Sequence, residues 1–138
     1  MKKKWSFGIV VTTMIICGVL WYYRSLNYGK MDIYNTHSIT FGDYHEENIT
    51  IIVNKLYVKD FQSCAEEIVE KCRNNAFKSI IFRYDTSIPN ELHVTVYRTK
   101  QDIKKHKILF SFSYKQDEKN SEYNIVEHPE KFRLKIDE

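Results

Sequence analysis

Glycine, alanine and proline are scarce in this 138-residue chain, at four, two and two residues. Two of the glycines, Gly8 and Gly18, fall inside an apolar run, so no glycine-rich loop remains to wrap backbone N–H groups around a phosphate. No P-loop is present, and a backbone-amide nest for phosphate is not expected. The three cysteines include no C-x2-C pair, and a structural zinc site is not expected. Cys64 and Cys72 lie eight residues apart on one predicted helix, about 12 Å along its axis, too far to bridge. Both read as small apolar packing residues, and Cys17 lies in the apolar run. No Ser-His-Asp spacing and no haem motif is present. No metal and no cofactor is expected.

Acidic residues are absent from the first thirty positions, which hold five basic ones: Lys2, Lys3, Lys4, Arg24 and Lys30. Residues 31–138 hold 16 basic and 18 acidic residues, a formal charge of −2 against +3 for the whole chain. The basicity belongs to the N-terminal segment, and the slightly acidic remainder gives no reason to expect a nucleic-acid partner. The chain has 16 lysines, 16 isoleucines, 10 tyrosines and 9 asparagines against two alanines and four glycines. AT-rich codons produce that bias, and the expected source is a low-GC Gram-positive bacterium.

What is present first is an uncharged, largely apolar run, Trp5–Tyr23. As a helix it is roughly 28 Å long, close to the hydrocarbon thickness of a bilayer. Only Ser6, Thr12 and Thr13 interrupt it, so it has no polar face to lay on a soluble core. Ile16-Cys17-Gly18 is a poor cleavage site, since apolar Val19-Leu20-Trp21-Tyr22-Tyr23 follows it, and Ile16 before Cys17 does not suit a lipoprotein signal. Trp5 at one end and Trp21, Tyr22 and Tyr23 at the other match an interfacial aromatic belt. The expected organisation is a cytoplasmic basic N-terminus (1–4), a transmembrane signal-anchor helix (5–23) in the lipid bilayer, a stalk (24–36) and an extracytoplasmic domain (37–138). The lysines place the N-terminus in the cytoplasm by the positive-inside rule.

The outer part reads as α+β. Ser38–Phe41 is a candidate strand that ends in the turn signal Gly42-Asp43, and Asp43–Glu47 reads as a solvated polar turn. Ile49–Val58 reads as a strand, with Ile49, Ile51 and Val53 on one side and Thr50, Ile52, Asn54 and Leu56 on the other. Phe61–Ala76 carries an apolar stripe of Phe61, Cys64, Ala65, Ile68, Cys72 and Ala76 at helical spacing, with Asp60 placed as N-cap and Asn74-Asn75 at the exit. Three period-two segments follow: Ile80, Phe82, Tyr84; Leu92, Val94, Val96; and Ile108, Phe110, Phe112, Tyr114. Tyr123–Val126 and Phe132–Ile136 are weaker strands. One helix packed on a mainly antiparallel sheet of four to six strands is the economical arrangement.

The most catalytic-looking fragment is His93-Val94-Thr95-Val96, which resembles the H-x-T-x motif of the 2H phosphoesterases. That resemblance implies His93 as an acid–base group and Thr95 as a hydrogen-bond donor. The family's second copy of the motif has no counterpart at His37, His45, His106 or His128. Alternation puts His93, Thr95 and Tyr97 opposite the apolar row, where Arg83, Ser111 and Ser113 are expected to join them as a binding surface for a protein or peptide partner. Arg98, Lys100, Lys104, Lys105 and Lys107 form a basic patch suited to anionic headgroups, cell-wall polymer or an acidic partner. The leading functional expectation is a membrane-anchored, non-enzymatic binding or accessory domain, with a small His93/Thr95 hydrolase as the alternative.

Overall fold

The structure, a computed structural model, describes residues 2–27, 29–55 and 57–137, with side chains for all of these except 2–5 and 25–27. The expectations resting on the side chains of Lys2, Lys3, Lys4, Trp5 and Leu56 lie outside that set. Over the described residues the protein is α+β, with a five-stranded mixed sheet and three α-helices.

Helix α1 (Lys2–Asn27) contains the run Ser6–Arg24, 19 residues of mean hydropathy 1.7, long and apolar enough to cross a membrane. The chain enters the sheet soon afterwards. Strand β1 (Asp32–Phe41) begins within the segment read as a stalk. The close approach of Gly29 to Asn54 marks this junction, because a Cβ on Gly29 would lie 2.6 Å from the Asn54 Cβ. Asn54, in the left-handed region at φ +53°, donates its side-chain amide to the Lys30 carbonyl at 2.8 Å.

The turn at Gly42-Asp43, with Gly42 at φ +58°, returns the chain as β2 (Tyr44–Ile52), antiparallel to β1. The expected Asp43–Glu47 turn therefore shrinks to its first residue, and Tyr44–Glu47 are strand. Helix α2 (Phe61–Arg73) crosses over so that β3 (Glu91–Tyr97) lies parallel to β2. A βαβ crossover joins parallel neighbours in this way, and it is why the sheet is mixed. Beyond β3 come the five-residue helix α3 (Lys100–Lys104), β4 (Phe110–Gln116) and β5 (Phe132–Ile136), both strands antiparallel to their neighbours in the order β1-β2-β3-β4-β5.

Asp60 caps α2 as expected, accepting from the Gln62 amide at 3.0 Å and the Ser63 hydroxyl at 2.6 Å. The helix stops at Arg73 because Asn75, at φ +52°, closes a Schellman motif: its own N–H meets the Cys72 carbonyl and the Ala76 N–H meets that of Lys71. Cys64, Ala65, Ile68, Val69 and Cys72 are buried against Ile49, Ile51, Val53, Leu92, Val94, Val96 and Phe112. Burying each large aliphatic side chain contributes about 1.5–3 kcal/mol.

Two predicted strands are absent. In Ile80–Tyr84 the Asn75 side chain takes the place of a neighbouring strand: its amide donates to the Phe82 carbonyl and its oxygen accepts from the Phe82 N–H, both at 2.8 Å. Phe82 and Tyr84 still stack, 5.5 Å between centroids, on the core side. In Tyr123–Val126 the Asn124 carbonyl oxygen accepts from the N–H groups of Val126 and Glu127 and winds the chain into an Asx turn. Segments 74–90 and 117–131 thus add Ile80, Phe82, Ile88, Ile125 and Tyr123 to the core on the face that α2 covers.

Candidate functional site

The residues picked out from the sequence divide between the two sides of the sheet. On the side away from α2, strand register lines up His37, Asn48, His93, Ser113 and Lys135 in one row across all five strands. The adjacent row holds Asn35, Thr50, Thr95 and Ser111, with Tyr97 beyond. His93, Thr95, Tyr97, Ser111 and Ser113 do share this face. Arg83 does not, because the segment carrying it is a loop on the covered side.

At one end of the open face sits a connected charge cluster. Glu91, only 3 % exposed, accepts from the Tyr44 hydroxyl at 2.8 Å and from His93 Nε2 at 2.7 Å. Lys119 bonds Glu46 at 2.8 Å and passes 3.7 Å from Glu91. Burial pushes the Glu91 carboxyl up, but Tyr44, His93 and Lys119 outweigh it and hold the carboxyl below its ordinary value. The same burial, with the Glu91 carboxylate beside it, raises the Tyr44 phenol far above its usual range, so it stays a donor.

On the covered side, where β1 and β2 meet segment 80–89, lies a cavity of about 350 Å³. Glu47, 2 % exposed, projects into it and accepts from the hydroxyls of Thr36 and Ser38 and from His45 Nε2 at 2.9 Å. The other imidazole nitrogen, Nδ1, meets the Ser87 hydroxyl at 2.9 Å. A Glu47 carboxylate can only accept, so His45 Nε2 is the donor of that pair, and with a single ring proton there Nδ1 is the acceptor for the Ser87 hydroxyl. A hydroxyl, an imidazole and a buried carboxylate are thereby joined in series. Arg83 and Thr86 line the same cavity beside an apolar wall of Ile80, Ile81, Phe82 and Pro89.

Sequence reading missed this constellation, although a signal for it existed. His45 and Glu47 have the same strand parity as Ile49, Ile51 and Val53, which puts both on the core side rather than in a solvated turn. No local pattern pointed to Ser87, which a 42-residue separation divides from His45.

The basic patch occupies α3 and its flanks. Arg98 pairs with Asp102 at 3.2 Å, and Lys100, Lys104, Lys105 and Lys107 are exposed. Cys64 and Cys72 are buried free thiols, which burial pushes up to about 11 and about 12. Among the described residues no group of three or more His, Cys, Asp or Glu side chains is placed to hold a metal ion. No protein-family model matches the chain, and no curated protein or solved structure matches it.

Proposed function

We propose that the protein is a single-pass membrane protein of the cell envelope, N-terminus cytoplasmic, whose outward α+β domain is a binding or accessory module for a polypeptide partner. The observation that carries the reading is the sheet covered on one side only. Its other side offers polar hydrogen-bonding side chains in two rows, one across five strands and one across four, a few residues from an apolar helix of spanning length. A face of that kind can dock a chain through side-chain hydrogen bonds without exposing an apolar patch. A photo-crosslinking residue at His93 or Tyr97, in membranes of the source cell, should give one discrete adduct that the same residue at Glu70 on α2 does not give. Equal adducts from all three positions would remove the reading. A reporter at the C-terminus should be active only outside the cytoplasm.

The cavity supports a second reading, hydrolysis of a small ester. Ser87 is the nucleophile in it, His45 the base and Glu47 the group that orients the ring, the arrangement an activated hydroxyl needs. Ser87 Oγ would attack the ester carbonyl as its proton passes to His45 Nδ1. The alcohol would leave with that proton, and water would release the acid from Ser87. This set is better placed than His93 and Thr95, since the ring nitrogen of His45 that Glu47 leaves open meets a hydroxyl, that of Ser87. A fluorophosphonate probe should label Ser87 in the wild type and slow by roughly a hundredfold in His45→Ala. Equal labelling rates in the two proteins would dismiss it.

A further inference from the structure

A second cavity, of about 460 Å³, opens where the chain passes from α1 into the sheet. Lys30, Lys55, Lys71 and Lys78 all line it, against the single carboxylate of Glu67. Lysine side chains gathered around one small space repel one another. Lys71 Nζ sits 6.0 Å from the Phe77 ring centroid, a weak cation–π contact that leaves the ammonium on the cavity side of the helix. The arrangement is complementary to an anion.

The location says which one. Lys30 follows the end of the apolar run, Arg24, by six residues, a reach of no more than about 20 Å even fully extended. The Lys30 carbonyl is tied to the Asn54 side chain, and the Asn54 N–H bonds the Arg98 carbonyl at 2.9 Å. Arg98 in turn leads directly into α3, so exposed Lys100, Lys104 and Lys105 lie at this same end of the sheet. Both groups of lysines therefore lie at the end of the sheet where the chain enters from α1.

We infer that this cavity seats the phosphate of an anionic phospholipid headgroup, clamping the outer domain down on the bilayer that α1 crosses. The inference rests on the membrane reading above. Lys30, Lys55, Lys71 and Lys78 supply the charge, Phe77 supplies an apolar wall, and α3 adds a second basic contact beside it.

The test uses the full chain in nanodiscs of phosphatidylcholine alone or of phosphatidylcholine doped with phosphatidylglycerol. Acetylation by a membrane-impermeant amine reagent is followed by peptide mass spectrometry. Lys55, Lys71 and Lys78 should react several-fold more slowly in the anionic discs, high salt should restore their rates, and exposed Lys115 and Lys135 should not change. Lys55→Gln/Lys78→Gln, both changes at the cavity rim, should abolish the protection of Lys71 while the Lys115 rate stays constant. Unchanged rates in a chain that co-floats with the discs overturn the inference alone. A chain that does not co-float overturns the membrane reading as well. Protection by soluble glycerol phosphate but not by anionic discs would assign the cavity to a free phosphomonoester and overturn the lipid.

Discussion

The carboxylate of Glu47 lies 2.9 Å from Nε2 of His45, two residues earlier on the same strand and on the covered face of the sheet. The neighbouring strand repeats the pair on the opposite face, where Glu91 meets His93 at 2.7 Å. Each glutamate is almost wholly buried and each is surrounded by hydroxyl donors, Thr36 and Ser38 in one case and Tyr44 in the other. The end of the sheet nearest the β1–β2 turn is thus built on polar satisfaction rather than apolar packing, and both candidate surfaces start there.

Removing the Glu47 carboxylate should be costly. Glu47→Ala leaves the Thr36 and Ser38 hydroxyls and the His45 N–H without their acceptor, for a loss of about 3 kcal/mol. Glu70→Ala, at an exposed position of α2, should stay within about 0.5 kcal/mol. Urea unfolding of the detergent-held chain, followed by circular dichroism, measures both. Similar midpoints for the two variants would show that the buried network does not hold the fold.

Glu91 makes stability depend on acid. Its folded-state carboxyl is held below its ordinary value, so its contribution is fully present above the unfolded value, about 4.3, and is lost as pH falls from there through the folded value. Glu91→Gln should therefore be less stable than the wild type at pH 7, with the gap closing as the pH drops below about 4. Urea midpoints of both proteins from pH 7 to pH 3 give the comparison. A gap that stays constant over that range would exclude an ionised Glu91 as the source.

The parts of the fold that sequence made legible are those where one face alone is buried. Leu92, Val94 and Val96, and Phe110, Phe112 and Tyr114, alternate cleanly and are strands; Asp60 and the stripe from Phe61 to Cys72 define α2. Ile80, Phe82 and Tyr84 alternate as well, yet Asn75 satisfies the Phe82 backbone and leaves no need of a strand partner. A side chain that imitates a peptide group has no periodic signature. The parallel pairing of β2 with β3 was equally hidden, because alternation reveals a strand's faces and not its neighbour's direction. Of the candidate site, the open-face row followed from parity, whereas Arg83 was misplaced with the lost strand. The Ser87–His45 contact needs the whole crossover to form.

The thiols on α2 should be inert while the fold persists. Burial holds Cys64 at about 11 and Cys72 at about 12, so the reactive thiolate of Cys72 is depleted roughly a thousandfold relative to an exposed cysteine. Iodoacetamide at neutral pH should leave both unmodified in the native chain and alkylate both in urea, as read by peptide mass spectrometry. Ready modification of native Cys72 would mean that α2 is not docked as described.

Asn90 concentrates more hydrogen bonds than any pattern around it suggested. Its carbonyl oxygen accepts from the His45 N–H at 2.8 Å, and its amide donates to the carbonyls of Tyr123 and Ser121 at 2.7 and 3.2 Å. Its own backbone N–H bonds the His45 carbonyl at 2.8 Å. The side chain thereby ties the start of β2, the start of β3 and segment 117–131 together at a buried position, 4 % exposed. Asn90→Ala should take the acceptor from the His45 N–H and the donor from the Ser121 and Tyr123 carbonyls, the latter still holding Gln116 Nε2, and cost about 3 kcal/mol, and it should loosen His45 as well. Hydrogen exchange provides the sharper measurement: the His45 and Ile125 amides, the latter bonded to the Pro89 carbonyl, should lose protection, while the Cys64 amide, bonded to Asp60 on the far side of the crossover, keeps more of its own. Uniform loss across all three would mean that Asn90 acts on global stability alone and does not specifically anchor the edge of the cavity.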